Sequence, residues 1–126
     1  KEAIDKFGAL PEVTPFAVEL GKRLEQWGKL TMELGGAAMK NPEEVGAAAA
    51  DYLAVSGYIC LGWCWLAAAG VAAKKLAEGD AEADFYKAKL ATATYFADHQ
   101  LPQAGGLAAA ITAGSASVFA LPENLF

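Results

Sequence analysis

The chain has 126 residues, a formal net charge of −5, and a composition that is 55% hydrophobic and 20% charged. That length suits one domain with a core of its own. The acidic balance, with no basic patch or arm, leaves no electrostatic reason to bind nucleic acid or an anionic membrane. The sequence opens Lys1-Glu2-Ala3, without an initiator Met, a basic leader or a cleavage site, which predicts a fragment of something longer rather than a secretory precursor. Residues 1–13 read as a short lead-in ending near Pro11.

Thr14-Pro15 predicts a helix start, a cap followed by proline at the first helical position. Phe16, Leu20, Leu24, Trp27, Leu30, Thr31, Leu34 and Ala38 then recur at helical spacing, with Glu19, Lys22, Glu25, Gln26, Lys29 and Glu33 on the other side. The pattern predicts an amphipathic helix of about 25 residues. Arg23 follows Glu19 by four, so an ion pair at the rim is expected. Asn41-Pro42-Glu43-Glu44 repeats the start signal, with two acids placed where the helix dipole favours them. The second helix is expected to run to about Glu78, stopped by Gly79, with Gly57, Gly62 and Gly70 as bends. Asp80 is expected to cap a third helix over roughly 81–101, ended by Pro102. A fourth, alanine-rich helix is predicted over about 104–119. No segment alternates with period two. The fold class is therefore all-α, a four-helix bundle-like single domain over 1–126 with a long central apolar helix.

Tyr52 through Ala73 is a run of 22 residues without a formal charge, long enough to cross a bilayer, which takes about 20. Gln100 to Pro122 is also free of Asp, Glu, Lys and Arg, so a two-span hairpin can be drawn. Against it, Trp63 and Trp65 stand in mid-run, whereas bilayer tryptophans gather at the interfaces. Pro102 breaks the second run, and the first helix carries a stripe that needs an apolar partner. The expectation is a bundle's buried axis, with no membrane.

Candidate chemistry is sparse. Cys60 and Cys64 lie four apart, share a helical face with parallel side chains, and suit core packing in a reducing compartment better than a disulfide. His99 falls roughly level with Cys60 in an antiparallel hairpin, yet Cys60, Cys64 and His99 lack a fourth ligand and match no zinc spacing. Lys89 lies in an apolar arc with Phe85, Tyr86, Thr92, Ala93 and Phe96, where a lysine must snorkel, pair or shift its pKa. Asp51 at the mouth of the charge-free run is expected to pair with Lys29. No catalytic, cofactor-binding or metal residue is assigned.

The segment Asp84 to Phe126 resembles the extreme C-terminus of one branch of the acyl-CoA dehydrogenase flavoenzymes, the larger members such as 3-methylmercaptopropionyl-CoA dehydrogenase. The matching pieces are the Ala88–Ala93 run AKLATA, the Leu101-Pro102-Gln103 break and the ending Phe119-Ala120-Leu121-Pro122. Asn41-Pro42-Glu43, Tyr52-Leu53 and Gly57-Tyr58 resemble the same domain's second helix, while Ala54 and Ser56 are smaller than expected there. The likeness covers 41–126 well and 1–40 loosely. It implies a non-catalytic C-terminal domain of a parent that uses FAD to oxidise an acyl-CoA to the 2,3-enoyl-CoA. It also implies packing on the parent's other domains, a homo-oligomer and a cytoplasmic location. None of the family's FAD-binding or catalytic motifs can be placed on these residues. A stand-alone interaction module and a membrane hairpin are the alternatives.

Overall fold

A computed structural model describes residues 2–125. Among them are five α-helices: α1 (Glu2–Phe7), α2 (Thr14–Ala38), α3 (Glu43–Ala77), α4 (Ala83–Tyr95) and α5 (Gln103–Thr112). A π-turn spans Phe96–Gln100 and a 3-10 turn spans Glu123–Leu125. The all-α expectation holds. α3 packs against every other α-helix and organises the domain.

The lead-in contains a short helix that joins the core. α1 carries Phe7 into the core, and Val13 in the following turn is 1% exposed. Phe7 lies on α3 at Gly70, where a Cβ would overlap the phenyl ring. Lys6 and Lys74 place their ammonium groups 5.2 and 5.4 Å from the same ring centroid, a favourable cation–π geometry. Nor does Thr14 cap α2. Its hydroxyl turns back to the carbonyls of Gly8 (2.8 Å) and Leu10 (2.9 Å), because the chain is already helical at Val13, whose carbonyl accepts the Ala17 N–H.

α2 buries the predicted stripe. Phe16, Ala17, Leu20 and Leu30 are buried, with Leu24, Trp27 and Leu34 packed at the margin. Trp27 faces Tyr52 of α3 with ring centroids 6.4 Å apart, and the Tyr52 and Thr31 hydroxyls hydrogen-bond at 2.7 Å. The expected rim pair is present: Arg23 Nε and Nη2 approach Glu19 Oε1 at 2.8 and 2.7 Å. At the start of α3, Asn41 Oδ1 accepts the Glu43 N–H at 3.2 Å.

α3 runs unbroken through Gly57, Gly62 and Gly70, so these glycines do not interrupt it as bends. Two of them are slots instead. Gly62 receives Leu20, and Gly70 receives Phe7, each needing the closeness that a missing Cβ allows. The helix stops as predicted: Gly79 has φ +74°, its N–H reaches Leu76 O, and the Asp80 N–H reaches Lys75 O. This is the Schellman arrangement, which satisfies the last carbonyls. Asp80 then accepts the Glu82 N–H at 3.0 Å, which holds its carboxyl below the usual carboxylate range, with Lys75 assisting. The Asp80 carboxylate in turn raises the Lys75 pKa.

The helical course of α4 changes character before Pro102. Proline supplies no N–H and crowds the carbonyl four residues back, so the last turn widens and the Leu101 N–H bonds to Phe96 O at 2.9 Å. One extra residue per turn lets Phe96 and Leu101, five apart, both reach the core, where Leu101 is fully buried and Phe96 meets Phe16 at 6.3 Å. α5 ends at Thr112, short of the expected 119. Gly114 takes φ +79°, and the backbone leaves the helix so that Ser115 can meet Glu44. At 10 residues α5 cannot span a bilayer, which removes the second leg of a hairpin.

Candidate functional site

Val55, Ile59, Leu66 and Ala69 fix the inward side of α3. With 100° of turn per residue, the opposite side presents Leu53, Gly57, Cys60, Leu61, Cys64 and Val71. All six are exposed, Leu53 at 75% and Leu61 at 51%. The face is therefore apolar, uncharged and open along about 37 Å from Gly46 to Val71, at 1.5 Å per residue. Contiguous apolar surface of this kind marks an interaction site more often than a bare surface. α3 is long and apolar enough to cross a membrane, yet it also carries the core on its other side. The expectation of a fully buried axis is corrected: the neighbouring helices cover only one side of α3.

Cys60 and Cys64 correct a second expectation. They are free and exposed on this outer face rather than packed inside. His99 lies elsewhere, with its ring 4.9 Å from that of Tyr95. Among the described residues no three His, Cys, Asp or Glu side chains gather as metal ligands do.

Lys89 is half-buried with its ammonium 5.9 Å from the Trp65 ring centroid and 5.2 Å from that of Phe85. Of the outcomes weighed for it, the structure selects snorkelling onto aromatic faces. The predicted Asp51–Lys29 pair is absent: Lys29 reaches Glu33 one turn on in α2, at 3.7 Å. Asp51 instead lines a shallow recess with Ala47, Ala110 and Val118. The two smaller residues of α3 are also accounted for. Ala54 is exposed and needs no bulk, and the Ser56 hydroxyl donates to Tyr52 O at 2.8 Å.

Over residues 1–122 the chain matches the family described as acetyl-CoA dehydrogenase C-terminal like. The chain belongs to this family. No curated protein matches it. The match takes in the first 40 residues, where the sequence resemblance is loose, and α1 supplies the physical reason, since Phe7 and Val13 belong to the same core as α2 and α3.

This acyl-CoA dehydrogenase C-terminal domain has one polar cluster that the sequence did not announce. Ser115 is the buried polar residue of the described chain, 3% exposed. Its N–H and hydroxyl both donate to the Glu44 carboxylate, at 3.0 and 2.7 Å, and Asn41 Nδ2 donates to its Oγ at 3.1 Å. The cluster ties the segment after α5 to the first turn of α3, across some seventy residues of chain. Nothing in the spacing of Asn41, Glu44 and Ser115 signals it. A Ser115→Ala change strips the carboxylate of one charge-assisted bond and is expected to cost about 1–3 kcal/mol. It should also speed proteolysis within 116–125, read by limited digestion beside a urea melt. An unchanged digestion pattern would show that the cluster does not hold the tail.

Proposed function

We propose that the chain is the non-catalytic C-terminal domain of an FAD-dependent acyl-CoA dehydrogenase of the 3-methylmercaptopropionyl-CoA dehydrogenase-like branch. In the assembled enzyme its role is packing, with the outer face of α3 covered. The parent oxidises an acyl-CoA to the 2,3-enoyl-CoA in the cytoplasm. The single observation behind the packing role is the uncharged outer face of α3, which a family domain built for water on all sides would break with charge.

The acidic recess of this domain does not suit FAD. Of about 420 Å³, it lies between the start of α2 and the π-turn and is lined by Glu12, Glu19 and Asp98, whose carboxylates repel a pyrophosphate. The chain also lacks a glycine-rich loop opening a helix, the usual seat for phosphate. This reading assigns the flavin to the parent's other segments.

The thiols of Cys60 and Cys64 provide the test, since both stand on the face in question. Maleimide labelling should be fast in the 126-residue chain and slower by about tenfold or more in the assembled, flavin-loaded parent, the factor that 1.4 kcal/mol of protection gives. Equal rates in the two would remove the packing role. Tight flavin binding by the 126 residues alone would remove the division of labour.

A further inference from the structure

We propose that the outer face of α3 is covered by α3 of a second copy of this chain, antiparallel, about a two-fold axis level with residue 59. The proposal rests on the reading of that face as a covered surface and names its occupant.

The charges at the ends of the face carry the argument. From Gly46 to Val71 its outward positions carry no charge, Asp51 lying about 120° round the helix from Gly57; Glu43 stands exposed just before it, and Lys75 on the same side just after it. Glu43 makes no ion pair among the described residues. Lys75 already approaches Glu78 and Asp80, at 3.8 and 3.4 Å, and its ammonium has three donors, so it can take another carboxylate. A two-fold axis at residue 59 sets each Glu43 level with the second copy's Lys75, giving both ion pairs from one operator. A parallel pair would instead set acid on acid and base on base. Antiparallel helix dipoles favour the same choice.

The same register matches shapes. Gly57 falls opposite the second copy's Leu61, a knob facing a position without a side chain, and Ala50 falls opposite its Ala68. Leu53 comes beside its Cys64. Small residues facing a large one, as at Gly57, or each other, as at Ala50, let two helices approach at close range. None of this depends on flavin chemistry.

The register makes the two cysteines distinguishable. At 1.5 Å per residue, the two copies of Cys60 lie about 3 Å apart along the helix axis, whereas the two copies of Cys64 lie about 15 Å apart. A disulfide needs Cα atoms within about 7 Å. Under mild oxidation, the Cys64→Ser variant, which keeps Cys60, should form a covalent dimer. The Cys60→Ser variant should not. Sedimentation velocity of the unmodified chain should show a dimer that loosens with added salt. Leu61→Glu should raise its dissociation constant about tenfold or more, while leaving the helical circular dichroism and melting of the monomer intact, because Leu61 is outside the core. Glu43→Lys should weaken the dimer, and Glu43→Lys with Lys75→Glu should restore it.

A monomer at every concentration reached, or crosslinking through Cys64 in place of Cys60, would overturn the proposal. So would a dimer indifferent to Leu61→Glu, or binding to neutral phosphatidylcholine vesicles without self-association. A monomeric chain whose thiols are nevertheless protected in the assembled parent would sink the second copy as occupant and leave the packing role standing. Thiols reactive in both forms would sink the two together.

Discussion

Leu20→Ala is expected to destabilise the domain by about 2–5 kcal/mol, toward the upper end of that range. Leu20 is fully buried, and its Cδ1 occupies the slot at Gly62, 2.9 Å from where a Cβ would stand. The walls of the resulting void are the α3 backbone, Leu101 and Phe96, and a helix backbone cannot slump into a gap as a loose side chain can. Against a total stability of about 5–15 kcal/mol for a domain of this kind, the loss is plain in a urea melt. The slot also predicts coupling. Gly62→Ala alone forces Leu20 aside and is expected to cost about 1–3 kcal/mol. In the double variant the new methyl fills part of the void, so the combined cost should fall short of the sum by about 0.5–3 kcal/mol. Simple additivity would show that the two residues do not share a slot.

Gly70→Val has the second largest expected effect, and a different signature. The Phe7 ring lies on bare backbone at Gly70, so any side chain there displaces it. With Phe7 expelled, about 1.5–3 kcal/mol of burial is lost. α1, six residues long, is too short to persist as an isolated helix. The expected result is local: the segment from α1 to Val13 becomes sensitive to protease and loses amide-exchange protection, while α2 to α5 keep theirs. Phe7→Ala should give the same exchange pattern. Global unfolding in Gly70→Val would mean that α1 is integral to the bundle rather than docked on it.

The helices of this domain were legible because their signals are local. The Phe16–Leu34 stripe, the Asn41-Pro42 start, the Gly79 stop and the Pro102 break each act within a turn or two of chain, and each falls where it was expected. The helical character of the lead-in was not legible, since six residues carry too little pattern and α1 is held by Phe7 on Gly70, 63 positions away. Asn41, Glu44 and Ser115 escaped for the same reason, being separated by most of the sequence.

The charge-free run from Tyr52 to Ala73 marks the division most sharply. Its composition determined by itself that α3 is a long apolar helix with at least one side turned away from water, and the family resemblance carried by neighbouring motifs is also a property of sequence alone. Composition could not say which side faces the other helices, because an uncharged helix has no polar stripe to orient it. Tertiary packing made that choice: Leu20 and Phe7 enter at Gly62 and Gly70, the core forms on that side, and Leu53, Cys60, Leu61 and Cys64 are left facing outward.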